Sequence, residues 1–133
     1  MQPIEIVKKM ISKDSFSRWL GIEIISVEYG FCELRTVIKK EMTNGFTLSH
    51  GGIIFSVADS CLAFAANSFG KIALTKNARI KFLKTVKIND IITATCLHKS
   101  INQPKFEVVI RNQNNDEIAH FEAEVHFSSE LWG

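Results

Sequence analysis

Hydrophobic residues recur along this chain with two different periods, and the change between them outlines the fold. Between Pro3 and about Lys13 apolar residues lie at the spacing of one helix face, which predicts a first helix there. A second short helical turn is predicted after it, capped by Asp14 or Ser15 and ending at Gly21. The chain therefore begins with two small helical segments.

Six segments rich in Ile, Val, Phe and Thr are predicted to be strands. The first two, residues 22–28 and 31–39, are joined by a turn at Tyr29-Gly30, and a polar loop over residues 40–49 follows them. The remaining four are residues 73–84, 90–99, 105–111 and 117–127, separated by turn signals at 87–90, 102–104 and 112–116. The final segment alternates polar and apolar residues, which is typical of a sheet with one face in solvent.

Between the two groups of strands lies a long apolar segment, residues 50–70. Gly51-Gly52 opens it and Gly70 closes it, so a helix of about seventeen residues fits between them. Apolar residues occupy almost every face of that helix, which requires an enclosing surface. The length of the segment and the Asp near its centre argue against a membrane span, so we predict a helix buried in protein.

This order of elements favours an α+β architecture in which a curved antiparallel sheet wraps around one long buried helix. No repeat, linker or low-complexity stretch divides the sequence, so residues 1–133 are expected to form one domain. Such a sheet leaves an edge strand open, and pairing of two copies across a two-fold axis would close it. A homodimer or homotetramer is therefore expected.

Composition narrows the class of protein further. A hydrophobic content of 46% with a net charge of +2 excludes a disordered chain. The three cysteines are scattered and form no CxxC pair, which argues against a zinc site or a disulfide framework and fits a reducing compartment. The N-terminus lacks the apolar core of a signal peptide, so a cytoplasmic location is expected. No nucleic-acid-binding motif is present.

Asp59 is the most informative residue for chemistry. It is the single acid between Met42 and Asp90, and it lies in the middle of the apolar helix. Burial of an unpaired carboxylate costs several kcal/mol, roughly, and raises its pKa. A packing role is possible for it, but the pattern favours a general base or a nucleophile.

The start of the same helix offers hydrogen-bond donors. Gly51 and Gly52 allow a ligand to approach N–H groups that have no partner inside the helix, and the helix dipole favours a developing oxyanion there. Asn44, in the preceding loop, is either a turn residue beside Gly45 or an amide that holds a water or a carbonyl. His50 is either a base or a residue that fixes the loop by a hydrogen bond. The four histidines lack ligand spacing, so no metal site is expected.

A basic stretch follows the helix. Residues 60–89 contain no Asp or Glu but six basic residues, among them Arg79, Lys81 and Lys84. Such a stretch is either a set of solvated surface lysines or a site for the phosphates of a cofactor. Strand alternation places Arg79 and Lys81 on one face and Lys84 on the other.

Three parts of the sequence together resemble a known family. The segments Asn44-Gly45-Phe46-Thr47-Leu48-Ser49-His50-Gly51-Gly52, Phe55-Ser56-Val57-Ala58-Asp59-Ser60 and Ala65-Ala66-Asn67-Ser68 are similar to those of hotdog-fold thioesterases of the phenylacetic acid degradation (PaaI) type. The likeness extends over nearly the whole chain. It implies a hotdog fold and hydrolysis of aryl-acetyl- or medium-chain acyl-coenzyme A, with no cofactor because coenzyme A is part of the substrate.

The resemblance also implies roles for individual residues. Asp59 matches the catalytic carboxylate, Gly51 matches the residue whose N–H polarises the thioester carbonyl, and Ser60 matches a hydroxyl that assists the hydrolytic water. Asn44 matches an amide that faces Asp59 of a partner chain, since active sites of the family lie between subunits. The phosphates of coenzyme A give Arg79, Lys81 or Lys84 a possible use, and Phe55, Leu62 or Phe64 are candidates to line the acyl pocket.

Two other functions remain open at this point. A hydratase or dehydratase on the same fold needs a second proton-transfer group, for which His50 is the candidate. A non-catalytic module that binds acyl-coenzyme A is the other, although such proteins usually add a DNA-binding segment, and the residues before the first strand are too few for one.

Overall fold

The computed structural model describes residues 1–98 and 104–133. In chain order the elements are α1 (Pro3–Lys13), α2 (Ser15–Trp19), β1 (Glu23–Glu28), β2 (Phe31–Val37), a short 3-10 helix (Lys40–Met42), α3 (Gly51–Asn67), β3 (Lys71–Phe82), β4 (Ile91–Leu97), β5 (Lys105–Arg111) and β6 (Glu117–Leu131). The predicted end of the fourth strand at residue 99 and the turn signal at Asn102 and Gln103 lie outside the described residues.

The six strands form one antiparallel sheet in the order β1-β2-β4-β5-β6-β3. β3 follows α3 in the chain but pairs only with β6, so it forms one end of the sheet. β6 continues to Leu131 rather than stopping at residue 127, because its last residues pair with the start of β3 at Lys71. The sequence around Ser128 lacks the apolar alternation that would have indicated this extension.

The long helix α3 lies against the sheet and contacts all six strands. Its residues Ile54, Val57, Ala58, Cys61, Leu62, Phe64, Ala65 and Ala66 are buried in the core, facing inward residues such as Leu34, Ile92, Ile110 and Phe121. The opposite side of the helix is less enclosed than expected, since Gly52 is exposed and Ser56, Asp59 and Ser60 are only partly buried. One strip of α3 is therefore left uncovered by its own chain. The hotdog architecture predicted from the sequence is confirmed.

The hairpin between β1 and β2 fixes the far end of α3. Gly30 adopts a φ of 72° in the turn, and its N–H donates to Ser68 Oγ at 2.7 Å, one residue beyond α3. A Cβ atom at Gly30 would lie 2.6 Å from the Phe69 ring, so only glycine fits this close contact. The turn thereby holds the C-terminal end of α3 against the sheet.

α1 packs on α3 and β1, and α2 packs on α1 and reaches α3 through Ser17. Asp14 caps α2, and its carboxylate accepts the backbone N–H of Ser17 at 2.9 Å. The stacked rings of Phe16 and Trp19 remain about half exposed. α2 is thus held in place by polar contacts on its inner side.

The three cysteines, Cys32, Cys61 and Cys96, are free thiols in the core. Cys32 and Cys96 are paired across β2 and β4, and the Cys61 thiol donates to the Cys32 carbonyl at 3.3 Å. Burial raises the pKa of Cys61 and of Cys96 above the ordinary thiol value. These thiols stay protonated and act as small apolar core residues.

Among the described residues, none of the helices has both the length and the apolar character to cross a membrane.

Candidate active site

Asp59 lies half-buried on the uncovered strip of α3, where its carboxylate faces the end strand β3. The Thr75 hydroxyl donates to Asp59 Oδ1 at 3.0 Å. Burial desolvates the carboxylate and raises the pKa of Asp59 above its ordinary value; the Thr75 hydrogen bond acts in the opposite direction, and the charge of Asp14 adds to the rise. The result is a carboxylate held in one orientation and made more basic, as a general base requires.

Thr75 itself was not singled out from the sequence. It follows Asp59 by sixteen positions on a different element, and no spacing rule links a helix residue to a strand residue at that distance. The sequence signal for such a residue is the solitary acid in an apolar helix, which requires a hydrogen-bond donor from whichever strand it meets.

Gly51 begins α3 at the edge of a cleft of about 310 Å³. Within residues 1–98 and 104–133, no acceptor is hydrogen-bonded to its N–H group, so this residue of the cleft lining has an unused donor. A Cβ atom at Gly51 would lie 3.2 Å from the Phe82 ring on β3. A larger residue would narrow the cleft at the position of the free donor.

Asn44 lines the same cleft. Its side-chain oxygen accepts the N–H groups of Phe46 and Leu48 at 2.9 and 3.2 Å, so the residue does shape the turn, as one interpretation of the sequence held. The side-chain NH₂ group makes no hydrogen bond within the described part of the chain. Both interpretations of Asn44 are therefore compatible, because the oxygen fixes the loop while the NH₂ group stays available as a donor.

His50 serves as the N-cap of α3. Its Nδ1 atom accepts the N–H of Gly52 at 3.0 Å, and its own backbone N–H donates to the Met42 carbonyl. An accepting Nδ1 is unprotonated, so the proton of the neutral ring lies on Nε2. This geometry gives His50 the role of fixing the helix start, and it also uses the N–H of Gly52, which leaves Gly51 as the available donor.

Ser60 faces away from the cleft. Its hydroxyl lies 2.8 Å from the hydroxyl of Ser17 on α2, a residue that is 1% exposed and was not singled out from the sequence. The hydroxyl predicted to assist a water is thus already part of a hydrogen-bonded chain.

The basic residues lie in two places, Arg79 and Lys81 on β3 and Lys84 in the loop that follows it. Lys84 lines the cleft together with Gly51 and Asn44, and its Nζ atom pairs with Asp116 at 3.2 Å. Arg79 and Lys81 alternate with a residue that packs on the core, so they project from the other face. There Arg79 is bound to a glutamate at 2.7 Å in a depression with three glutamates among its lining residues. Of these three residues, only Lys84 lines the same cleft as Gly51.

Two of the candidate acyl-pocket residues belong to the core instead. Leu62 and Phe64 are at most 1% exposed, and both pack on the sheet. Phe55 is partly buried and makes an edge-to-face contact with Phe121. A helix that appears apolar on every face does not reveal which of its faces the sheet covers, and this is why the sequence did not separate these residues.

Asp59 and Gly51 do not meet within one chain. Eight residues of helix separate them, which at the α-helical rise is about 12 Å along the axis. The cleft accordingly contains Gly51 and Asn44 but not Asp59. One copy of the chain therefore holds the Asp59 carboxylate and the Gly51 N–H at two separate places.

Comparison with known proteins bears on this arrangement. The family model described as the thioesterase superfamily matches residues 46–119, more than half of the chain and the segment that holds Asp59, Gly51 and Lys84. The acyl-coenzyme A thioesterase PaaI of Escherichia coli is 34% identical over 119 residues, which is 88% of this chain and 85% of that protein. A putative esterase of Archaeoglobus fulgidus is 31% identical over 121 residues, 89% of this chain and 79% of that protein.

Solved structures superpose on this chain over most of its length. The PaaI protein from the phenylacetic acid degradation operon of E. coli superposes with a TM-score of 0.92 at 30% identity, covering 97% of this chain and 95% of that one. A Streptococcus mutans protein bound to acetyl-CoA superposes with a TM-score of 0.77 at 24% identity, covering 84% and 91%, and it shows the shared fold.

Proposed function

The chain belongs to the thioesterase superfamily, and from this premise we propose that it hydrolyses acyl-coenzyme A thioesters to the free acid and coenzyme A. One observation carries the proposal. A carboxylate with a raised pKa and an N–H without a partner lie on the same helix, the carboxylate on its uncovered strip and the N–H at its start. These are the base and the oxyanion donor that hydrolysis of a thioester needs.

The separation of these two groups supports a site shared by two copies of the chain. Asp59 contacts β3 at Thr75, while Gly51 lies against β3 at Phe82. β3 is an open end strand, so a second copy can add its own β3 in antiparallel pairing. A two-fold axis near Ala78 and Arg79, midway between those two contacts, brings Thr75 of one copy opposite Phe82 of the other.

In such a dimer each site combines Asp59 of one copy with Gly51 and Asn44 of the other. The uncovered strip of α3 is then enclosed by the second copy, which removes water from around the reacting groups and strengthens each hydrogen bond. The dimer contains two sites, and each chain contributes half of each. A lone chain is expected to be inactive.

The reaction follows from the positions of these groups. Asp59 takes a proton from a water molecule as the water oxygen attacks the thioester carbon, and the former carbonyl oxygen becomes an oxyanion. The Gly51 N–H and the Asn44 NH₂ group donate to that oxyanion. The carbon–sulfur bond then breaks, and coenzyme A leaves as a thiolate. The proton that Asp59 took from the water passes to the departing thiolate or to solvent, which restores the carboxylate. A thiolate is a good leaving group, so no strong general acid is needed.

Lys84 is the favoured contact for the phosphates of coenzyme A. It lines the cleft beside Gly51, and its resting partner Asp116 is partly exposed and can release it to a more highly charged phosphate. Arg79 and Lys81 project from the other face of the sheet, where the nearby glutamates repel phosphate. We assign them no contact with substrate in the site formed by these groups.

The test is release of free thiol from a panel of acyl-coenzyme A substrates that includes the phenylacetyl, hexanoyl and crotonyl thioesters. We expect turnover by the native protein, and a fall of at least about a hundredfold in Asp59→Asn, which keeps the shape of the side chain but removes the base. Glu23→Gln is the matched control, because it makes the same chemical change at an exposed ion pair on β1. It should leave the rate unchanged.

The other outcomes are equally informative. Turnover that survives in Asp59→Asn would refute the role of this carboxylate. Loss of crotonyl-coenzyme A without thiol release would identify a hydratase, and binding without turnover of any substrate would identify an acyl-coenzyme A binding module. The ranking of phenylacetyl against hexanoyl substrates would give the acyl preference, which we propose to be aryl-acetyl or medium-chain.

A further inference from the structure

A hydrogen-bonded chain connects the N-terminal helices to the residue next to the catalytic base. Asp14 Oδ2 accepts the hydroxyl of Ser17 at 2.6 Å, and the Ser17 hydroxyl oxygen lies 2.8 Å from that of Ser60. Ser60 directly follows Asp59 on α3. The contact between Ser17 and Ser60 joins residues that are 43 positions apart in sequence, and Ser17 is almost completely buried.

The direction of this chain is determined by the carboxylate at its end. An ionised carboxylate only accepts, so the single proton of Ser17 is used by Asp14. The contact between the two serines then requires that Ser60 donate to Ser17. The Ser60 proton consequently points towards α2, and its lone pairs remain as acceptors.

We propose that Asp14, acting through Ser17, is a positioning residue for thioester hydrolysis: it holds the Ser60 hydroxyl as a hydrogen-bond acceptor beside Asp59 and so orients the attacking water. This inference rests on the function proposed above. A water molecule attacks through a lone pair, so both of its protons must be directed elsewhere. Asp59 accepts one proton and Ser60 Oγ accepts the other, which turns the lone pair of the water towards the thioester carbon.

The same carboxylate also acts on Asp59 through its charge. Asp14 contributes to the raised pKa of Asp59, after burial and against the Thr75 hydrogen bond. From β3 the group that faces Asp59 is the neutral Thr75, and in the described part of the chain no basic side chain forms an ion pair with Asp14 or Asp59. In the proposed dimer the second copy adds two more ionisable groups, the imidazole of His50 at the start of α3 and the ammonium of Lys84, which lines the cleft beside Gly51.

The decisive variant is Asp14→Asn. The amide oxygen still accepts the Ser17 N–H, so the cap of α2 is kept and the protein should fold. The amide nitrogen, however, donates to the Ser17 hydroxyl, which then donates to Ser60, and the Ser60 proton turns outward. We expect kcat to fall by about three- to tenfold, in line with the loss of one hydrogen bond, with KM unchanged.

The pH profile gives a readout that a merely structural role would not move. Loss of the negative charge lowers the pKa of Asp59, so the acidic limb of kcat should shift to lower pH in Asp14→Asn. Ser17→Ala removes the hydrogen bonds between Asp14 and Ser60 but leaves the negative charge of Asp14. The value of kcat should therefore fall by a similar factor while the acidic limb stays in place. The double variant Ser17→Ala/Ser60→Ala should lose no more than the more affected single variant, because both belong to one chain.

Glu5→Gln is the matched control for Asp14→Asn. Glu5 also accepts a backbone N–H at a helix start but does not reach α3. Neither kcat nor the acidic limb of its pH profile should therefore change in Glu5→Gln. The proposal is overturned if Asp14→Asn and Ser17→Ala both retain the native kcat, or if the acidic limb of the kcat pH profile moves in His50→Gln and not in Asp14→Asn. Titration of the Asp59 carboxyl carbon by NMR measures the pKa shift without activity, so absence of thiol release in the native protein would refute the proposed function alone.

Discussion

A site divided between two chains makes a prediction that no single variant can test. Asp59→Asn removes the base, and Asn44→Asp removes the amide donor while keeping the oxygen that accepts the N–H groups of Phe46 and Leu48. Each homodimer should be inactive, because each of its sites lacks one of the two groups. A dimer with one chain of each variant contains one site with both native groups and one site with neither.

The recovery can be calculated from this arrangement. After random reassociation of equal amounts, about half of the dimers contain one chain of each kind, and one of their two sites is intact. The mixture should therefore regain about a quarter of the native rate per chain. The measurement is thiol release after the two variants, carrying different affinity tags, are co-expressed or unfolded and refolded together. Each variant treated alone is the control.

The reverse experiment separates the two possible arrangements. A chain that carries both substitutions is mixed with native chain in equal amounts. With shared sites, mixed dimers have no intact site and the rate should be about a quarter of native, whereas sites inside one chain would leave about half. Purified mixed dimers of the two single variants that show no recovery would refute a site shared between chains.

Three further variants follow from contacts in the structure. Thr75→Val removes the hydrogen bond that lowers the pKa of Asp59, so that pKa should rise and the acidic limb of kcat should move to higher pH, while Thr75→Ser should keep it in place. Lys84→Gln should raise KM for acyl-coenzyme A several-fold but leave KM for an acyl thioester of N-acetylcysteamine, which lacks the phosphates, unchanged. Gly30→Ala places a methyl group 2.6 Å from a phenylalanine ring at a φ of 72° and should cost about 2–5 kcal/mol in the free energy of unfolding. Gly21→Ala has the same φ but no contact closer than 3.6 Å, so it should cost only about 1–2 kcal/mol, and equal melting temperatures for the two would contradict the close contact at Gly30.

Glycines and turn residues at the ends of helices and strands allowed most elements to be predicted from the sequence. Gly51-Gly52 and Gly70 bracket α3, and the structure has the helix at Gly51–Asn67, with the predicted seventeen residues. α1 begins and ends where the apolar spacing placed it. The end of β6 depended instead on pairing with Lys71, a contact between distant residues that carries no local signal.

The candidate site residues that could be named from the sequence lie on α3 or in the loop before it. Asp59 and Gly51 were proposed from helix chemistry and the family resemblance together, and Asn44 was proposed mainly from the resemblance. Thr75 and Ser17 were missed, since each meets its partner only after β3 and α2 have packed on α3. Strand alternation correctly placed Arg79 and Lys81 on a common face, but which face points to the core depends on the whole sheet.

The burial of all three cysteines has a practical consequence for enzymology. Thiol-reactive dyes report coenzyme A release, and a protein with exposed thiolates would consume such dyes itself. Here Cys32, Cys61 and Cys96 lie in the core, and the raised pKa of Cys61 and Cys96 keeps those thiols protonated, so the folded enzyme should give almost no background. Slow labelling of the protein by the same dye would instead measure how often unfolding exposes these buried thiols. One reagent therefore reports both catalysis and unfolding.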